Sequence, residues 1–431
     1  MTNVFESIVP IQMANDEDMY KCVHCGLCLS VCPTYVQTGL ETESPRGRIH
    51  FMKSVSEGKL ILDDQVISHW DMCLQCRACE AVCPSGVPYG SLITSVKNNI
   101  NLQGMTSPKT KRLSLILLRG MLPHLRRLKL IAQLSIFYKK SKLSYVLKKI
   151  GVFKILPAEL RQMETQLPNF TKPFFTPRTT SYLPQDGVVD YKIALLSGCI
   201  MPLVQSDAMR STVRVLNKNH CEVIVPMGQG CCGALNLHAG DLEYAKKMAR
   251  INIDIMLESS PDYILTNSAG CGASMKEYGK LFSDDFEYSA KAQLFSEKTM
   301  DIHEFLIKIG LEIPEKEFKF KVTYQDACHL AHGQRITSQP REILKSIKGL
   351  EFIEMDNSAM CCGSAGIYSM LNPSMAQDIL SDKLDNIVST RCDIVATSNP
   401  GCSMHIQAGL EKNNLPYRLM HVIEILDEAY L

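Results

Sequence analysis

Eight of the eighteen cysteines in this 431-residue chain fall into two copies of one pattern. Cys22-Val-His-Cys25-Gly-Leu-Cys28-Leu-Ser-Val-Cys32-Pro33 is the first, and Cys73-Leu-Gln-Cys76-Arg-Ala-Cys79-Glu-Ala-Val-Cys83-Pro84 is the second. Each reads C-x2-C-x2-C-x3-C-P, the spacing that wraps a four-iron, four-sulfur cubane. Three thiolates at such short intervals reach one cluster from a single loop. The fourth, fixed by the following proline, is expected to start a helix and reach across to the other cluster. The spacing therefore predicts Cys22, Cys25, Cys28 and Cys83 around one cluster, and Cys73, Cys76, Cys79 and Cys32 around a second. A zinc site would use two C-x2-C knuckles, and a disulfide framework belongs to small secreted chains. The pattern is that of an electron carrier.

The rest of the composition narrows the class. A net charge of +1 argues against nucleic acid as a bulk electrostatic partner. The segment from Met1 to Tyr20 has neither the basic nor the apolar region of a signal peptide. No uncharged apolar run approaches the roughly 20 residues needed to span a bilayer. The nearest, Leu113 to Phe137, is broken by Arg119, Arg126, Arg127 and Lys129. Cysteine-rich composition without a secretory start points to metal ligation in a reducing, cytoplasmic compartment.

Along its length the chain divides into four parts. Residues 1–104 form a helical, ferredoxin-like unit. Between its motifs lies Glu43-Ser-Pro-Arg-Gly-Arg-Ile49, then a helix-like stretch through Leu60, and its arginines either lie near the clusters or form a solvated turn. Residues 105–187 are a basic helical region and a proline-rich linker. No Asp or Glu occurs from Ala81 to Ala158, while Lys97 to Lys154 supply fourteen Lys and Arg. Leu125, Leu128 and Ala132, then Leu143, Val146, Leu147 and Ile150, recur at helical spacing, with Pro123 as a start signal and Gly151 as a stop. Such a basic helix either packs on its own protein or meets an acidic partner or an anionic membrane, and the first reading is preferred. Pro157 to Pro184 reads as the linker.

Residues 188–315 and 316–431 are two α/β cysteine-rich domains. Apolar runs at Tyr191–Leu196, Glu222–Pro226, Tyr263–Thr266, Lys321–Tyr324, Phe352–Met355 and Asp393–Thr397 alternate with helix-like stretches such as Leu242–Leu257 and Met375–Ile387. That alternation predicts largely parallel strands. The repeat is carried by Cys199, Cys231-Cys232-Gly233 and Cys271, matched by Cys328, Cys361-Cys362-Gly363 and Cys402 at offsets of 129 to 131 residues. Cysteines at strand ends converge on the crevice where α/β sheets bind ligands. Three readings stay open for these eight: one or two further iron–sulfur clusters, redox-active dithiols, or buried structural thiols. Duplication favours the first. Cys221 and Cys392 fall outside the set and read as core thiols. His238, His329 and His332 lie beside candidate ligands and are candidates to orient them or handle protons. No P-loop or G-x-S-x-G is present, and no flavin or nicotinamide site is expected in this chain.

Two cubane motifs followed by two Cys-Cys-Gly modules resemble the iron–sulfur subunits of glycolate oxidase most of all. They also resemble those of anaerobic glycerol-3-phosphate dehydrogenase and lactate-utilisation proteins. The resemblance rests on Glu43–Ile49, on Cys231-Cys-Gly-Ala-Leu-Asn-Leu-His-Ala-Gly-Asp241, on Asp326-Ala-Cys-His-Leu-Ala-His-Gly-Gln-Arg-Ile336 and on Cys361-Cys-Gly-Ser-Ala-Gly-Ile-Tyr368. It implies a bacterial complex in which a separate FAD-binding subunit oxidises glycolate to glyoxylate. This chain would pass the electrons towards a quinone or another acceptor, with the complex held peripherally on the inner face of the inner membrane. The alternatives are the equivalent subunit of a glycerol-3-phosphate or lactate dehydrogenase, and a stand-alone disulfide or quinone reductase. The modules also resemble the noncubane-cluster component of heterodisulfide reductase, whose cysteine pattern ends in C-x2-C. Here Ser274 and His405 stand at the fifth position, so a five-thiolate site does not carry over.

Overall fold

The structure, a computed structural model, describes residues 11–141, 168–170 and 172–431. The expected helix carrying Leu143, Val146, Leu147 and Ile150 and ended by Gly151 lies outside the described residues, as does much of the linker stretch.

Between Asp16 and Leu102 the regular structure is helical. Ser44 and Pro45 set the central helix, Pro45–Ser56: the Ser44 hydroxyl accepts from the Gly47 amide at 3.0 Å, and proline takes the first turn, where its missing N–H costs nothing. Ile49, Met52 and Val55 on its inner face pack with Trp70, Leu92 and Val96 into the core of this unit. Cys32 caps helix Pro33–Thr38, as its following proline predicts. Cys83-Pro84 departs from that expectation. The chain turns there, with the Gly86 amide on the Cys83 carbonyl at 3.3 Å, and the next helix begins only at Tyr89. Ser85-Gly86 supplies a positive φ at Gly86 that favours the turn.

The basic region forms helix Pro108–Leu113, a π-helical stretch Ser114–Arg119 and helix Leu125–Lys140. The last starts two residues after Pro123. Leu128 and Ala132 pack on Leu203 of the first cysteine-rich module, so this helix rests on its own protein. Each apolar side chain of leucine size that it buries contributes about 1.5–3 kcal/mol. Arg119 clamps Asp241 with two bonds of 2.7 Å. On the outer side Leu130, Leu134 and Phe137 remain 57, 59 and 66% exposed among arginines and lysines.

Each module is a four-stranded parallel sheet with helical crossovers. The first contains β1 (Tyr191–Leu195), β2 (Cys221–Ile224), β3 (Tyr263–Thr266) and β4 (Thr299–Asp301), in the order β2-β1-β3-β4. The second contains β5 (Lys321–Tyr324), β6 (Glu351–Ile353), β7 (Ile394–Thr397) and β8 (Arg418–His421), in the order β6-β5-β7-β8. All ladders pair in parallel. The edge strands β4 and β8 go beyond the six expected from the apolar runs. They are three or four residues long and mix polar with apolar side chains, too short for a periodic signal.

The two modules pack helix against helix. Helix Ser206–Lys218 of the first packs on Val422–Tyr430 of the second, and Ser338–Ser346 of the second packs on Ile302–Ile309 of the first. One core thus runs from Ile193 and Leu195 through Phe305 and Leu306 to Val322, Tyr324 and Ile423. Buried Asp427 accepts from the Arg214 guanidinium and from Ser211 at 2.8 Å across this interface. Replacing Asp427 with alanine strands the buried Ser211 hydroxyl and leaves the half-exposed Arg214 to water. The expected loss is on the order of 1–3 kcal/mol in a denaturant titration, with both modules unfolding in one transition.

Candidate iron–sulfur sites and the seam between them

The two C-x2-C-x2-C loops wind alike. His24 and Gln75, each just before the second cysteine of its motif, have φ of 57° and 55°, and Gly26 and Arg77, each just after it, have φ of 85° and 63°. Three of these four are not glycine, so each loop stores about 1–2 kcal/mol per left-handed residue. Arg77 is held there by Glu80 (2.8 Å) and by Glu277 of the first module (2.7 Å).

Each loop borders a cavity. Cys22, Cys25, Cys28 and Cys83 line one, with Cys79 also on its wall. Cys32, Cys73, Cys76 and Cys79 line the other. Cys79, Pro45 and Tyr89 form the partition between them. Burial pushes the Cys76 and Cys79 thiols well above their ordinary range, so a bound cation is needed to hold them as thiolates. Among the described residues no three His, Cys, Asp or Glu side chains crowd together as they would around one metal ion.

Positive charge and hydrogen-bond donors back both cavities. Arg46 lines the first, donating to the His24 carbonyl at 2.9 Å and to Glu41 at 2.8 Å. Arg48 is fully buried beside the second. Its guanidinium donates to Glu43 (2.8 Å), Thr34 (3.1 Å) and the His69 carbonyl (2.6 Å), and lies 4.0 Å from the Cys32 sulfur. Burial opposes this charge, but Cys73, Tyr89, Cys32 and Glu43 outweigh it and keep Arg48 ionised. Tyr89 donates its hydroxyl to the Cys73 sulfur at 3.7 Å. The arginines of Glu43–Ile49 therefore belong to the sites rather than to a solvated turn. Tyr89 had no signal in the sequence.

In the first module Cys199, Cys231, Cys232 and Cys271 form a chain in which each thiol is within hydrogen-bond reach of the next. Cys328, Cys361, Cys362 and Cys402 repeat it in the second. Donation to Cys361, with burial, holds the Cys328 thiol well up. Both sets sit past the C-terminal ends of β1–β3 and β5–β7, at the point where strand order reverses, the usual ligand crevice of such sheets. The glycine of each Cys-Cys-Gly is needed for its conformation: φ is 82° at Gly233 and 87° at Gly363, and a Cβ at Gly363 would lie 2.5 Å from the Ala376 carbonyl oxygen.

Lys383 is a further buried cation, and nothing in the sequence marks it. It is 1% exposed, donates to the Asn357 and Ser358 carbonyls at 2.8 and 3.1 Å, and faces Cys362, Cys361 and Cys402. Asn399 donates to the Cys402 sulfur at 3.5 Å. A lysine inside a long helix, remote from any motif, carries no local sign of its partners.

The first unit and the second module meet at these cysteines. Cys76 and Leu74 pack in one buried cluster with Cys361, Tyr368 and Ala376, with Cys328 against it. His329 Nε2 bonds the Gln75 carbonyl at 2.9 Å, and the Gln75 side-chain amide donates to the His238 carbonyl at 2.8 Å. The His238 and His329 rings meet edge to face at 5.1 Å, and burial lowers the pKa of both. His332 bonds the Ala359 carbonyl at 3.0 Å. His238 and His329 brace the seam, whereas His332 bonds within its own module. Cys221 and Cys392 lie in the apolar cores, and burial pushes Cys221 up to about 12. Where the three parts converge, a cavity of about 810 Å³ opens beside Cys73 and Gln75, faced by Lys97, Leu235, His238 and Tyr368.

Arg48 offers a direct check. A buried cation favours the reduced, more negative state of a neighbouring cluster, so Arg48→Gln is expected to lower one reduction potential. The shift is roughly 60 mV for each tenfold preference lost. Potentiometric titration followed by electron paramagnetic resonance reads it, and an unchanged potential would separate Arg48 from the site.

Family comparisons agree with this layout. The 4Fe-4S dicluster domain family matches residues 18–87, and the cysteine-rich domain family matches 193–276 and 322–407. The linker region of the glycolate oxidase iron–sulfur subunit matches 109–167. The chain is 36% identical to the probable glycolate oxidase iron–sulfur subunit of Bacillus subtilis, over 96% of this chain and 95% of that one. It is 30% identical to the glycolate oxidase iron–sulfur subunit of Escherichia coli, again over 96% and 95%. Lactate utilization protein A of a Geobacillus species is 28% identical over 55% of this chain and 99% of that one. With both cubane motifs, the linker and both cysteine-rich modules matched along nearly its full length, the chain belongs to the family of glycolate oxidase iron–sulfur subunits.

Proposed function

We propose that this chain is the electron-transfer subunit of a flavin-dependent glycolate oxidase complex, accepting electrons from a separate FAD-binding subunit and delivering them to a quinone or another small acceptor. The observation that carries this reading is the shared burial of Cys76 and Cys361. It joins the cavities of the first unit to the cysteine chain of the second module inside one buried cluster. Full-length similarity to two glycolate oxidase subunits supplies the substrate.

In this reading Cys22, Cys25, Cys28 and Cys83 hold one four-iron cluster, and Cys73, Cys76, Cys79 and Cys32 hold a second. Each module's four cysteines hold a further cluster. The residues fit such groups: thiols line both cavities, and buried Arg48 and Lys383 offset the negative charge. Bound iron–sulfur clusters supply one-electron transfer. The chain fixes their order, shields them from water, and sets their electrostatics. The glycolate-oxidising site belongs to the partner, and the cavity beside Cys73 is of the size that receives a small organic acceptor. The domain limits 1–104, 105–187, 188–315 and 316–431 divide the labour accordingly.

Anaerobic iron and sulfide analysis tests the division. About twelve or more irons per chain are expected if the modules are loaded, against about eight for two cubanes alone. Cys28→Ser should remove one cubane signal. Cys361→Ser should leave both cubanes and lower the iron count, and loss of the cubanes on changing Cys361 alone would overturn the arrangement.

The flavin subunit would dock on the outer side of helix Leu125–Lys140, where Leu130, Leu134 and Phe137 lie exposed among Arg126, Lys139 and Lys140. Raising ionic strength is expected to weaken the complex, and Leu134→Glu to weaken it further, in analytical ultracentrifugation. An association indifferent to both would place the partner elsewhere.

A further inference from the structure

Among the buried polar atoms without a hydrogen-bond partner are two at equivalent places in the repeat, Ser274 Oγ and His405 Nε2. Each lies three residues past the last cysteine of its module, Cys271 or Cys402. Both pairs are helical, within Ala269–Met275 and Pro400–Lys412, so the two side chains of each pair share one helix face a turn apart. An orphaned buried donor or acceptor costs about 1–3 kcal/mol. One such cost is unremarkable, but the same cost at two repeat-related positions beside four-cysteine sets suggests a common occupant.

His405 carries the stronger case. It is 9% exposed, and its ring lies beside the Ala376 backbone carbonyl. A carbonyl only accepts, so the tautomer that satisfies it has its proton on Nδ1, since Nε2 has no partner. In the neutral imidazole the other nitrogen, Nε2, is then a buried lone pair with nothing to bind. A ring N–H fixed on a backbone carbonyl is how proteins orient a histidine that ligates metal. The Ala376 carbonyl is also the atom that presses on Gly363, 2.5 Å from where its Cβ would stand. His405 and the Cys361-Cys362-Gly363 turn therefore meet at one backbone oxygen, with Cys402 one helical turn away.

We propose that His405 Nε2 is the fifth protein donor to the iron–sulfur site of the second module, joining Cys328, Cys361, Cys362 and Cys402. The proposal rests on the reading that the modules hold clusters. A neutral imidazole in place of a thiolate removes one negative charge, and histidine for cysteine raises a cluster's potential. Buried Lys383 acts in the same direction. The second module, which touches Cys76, is thereby the more easily reduced of the two.

Mössbauer spectroscopy of the full chain, grown on 57Fe and purified without air, tests this whatever the spin state. The wild-type spectrum is expected to contain one iron whose parameters differ from those of iron with only sulfur ligands. His405→Cys is expected to remove that component at unchanged iron content. A wild-type spectrum without it, or one that His405→Cys leaves unaltered at equal iron, overturns the proposal. A wild-type content of only about eight irons overturns the loading of the modules themselves, and so distinguishes that failure from this one.

Discussion

Burying sulfur that must carry negative charge is the constraint on which this structure depends. A thiolate taken from water is costly unless a cation or a donor meets it, and here the reactive cysteines are mostly interior. The chain answers with charges placed where no solvent screens them. Arg48 sits between Glu43 and the sulfurs of Cys32 and Cys73, and Lys383 behind Cys361, Cys362 and Cys402. Neutral donors such as Tyr89 and Asn399 supply the remainder. Ligands that must be deprotonated and buried together couple cluster loading to folding.

The duplicated modules show how a repeat can stay alike in backbone and diverge in chemistry. Both sheets have the same strand order, both cysteine sets follow the same strand ends, and the Cys-Cys-Gly turns take the same left-handed glycine. Their surroundings differ. The second module places Lys383 behind its cysteines, whereas in the first the buried Asn252 side chain donates to the Cys231 carbonyl at 3.0 Å. The cluster around Cys76 takes its module cysteines from the second copy, Cys361 and Cys328. The helices packed between the modules give them one shared core, so such differences alter electrostatics without moving the sheets.

Features encoded by local spacing were legible in the sequence. The cubane motifs, the repeat offset and the strands Tyr263–Thr266 and Lys321–Tyr324 could each be read from a few neighbouring residues. The features that escaped were those set by distant contacts. Strands β4 and β8 exist because β3 and β7 offer them an edge. Lys383 matters only because its helix faces the Cys-Cys-Gly turn. The turn after Pro84 shows the opposite error: the same dipeptide that starts a helix after Cys32 does not do so before Ser85-Gly86, because the next residues decide. Ser274 and His405 were visible as departures from a pattern, but their isolation from any partner is a property of the packed interior.

The seam between the helical unit and the modules has a kinetic consequence. At Gly240 the backbone comes so close to helix Tyr89–Leu102 that a Cβ would lie 2.3 Å from the Lys97 carbonyl oxygen, and Asn101 donates to the Gly240 carbonyl at 3.0 Å. Arg335 reaches back to the Ala81 carbonyl at 3.0 Å, and Asn372 to that of Asp71 at 3.4 Å. Mobile carriers of similar motif content must find, touch and leave each partner, and their throughput follows diffusion and viscosity. Here the cysteine loops are locked at a fixed separation, so an electron passing between clusters held on them would meet no encounter step, and its speed would follow distance and driving force.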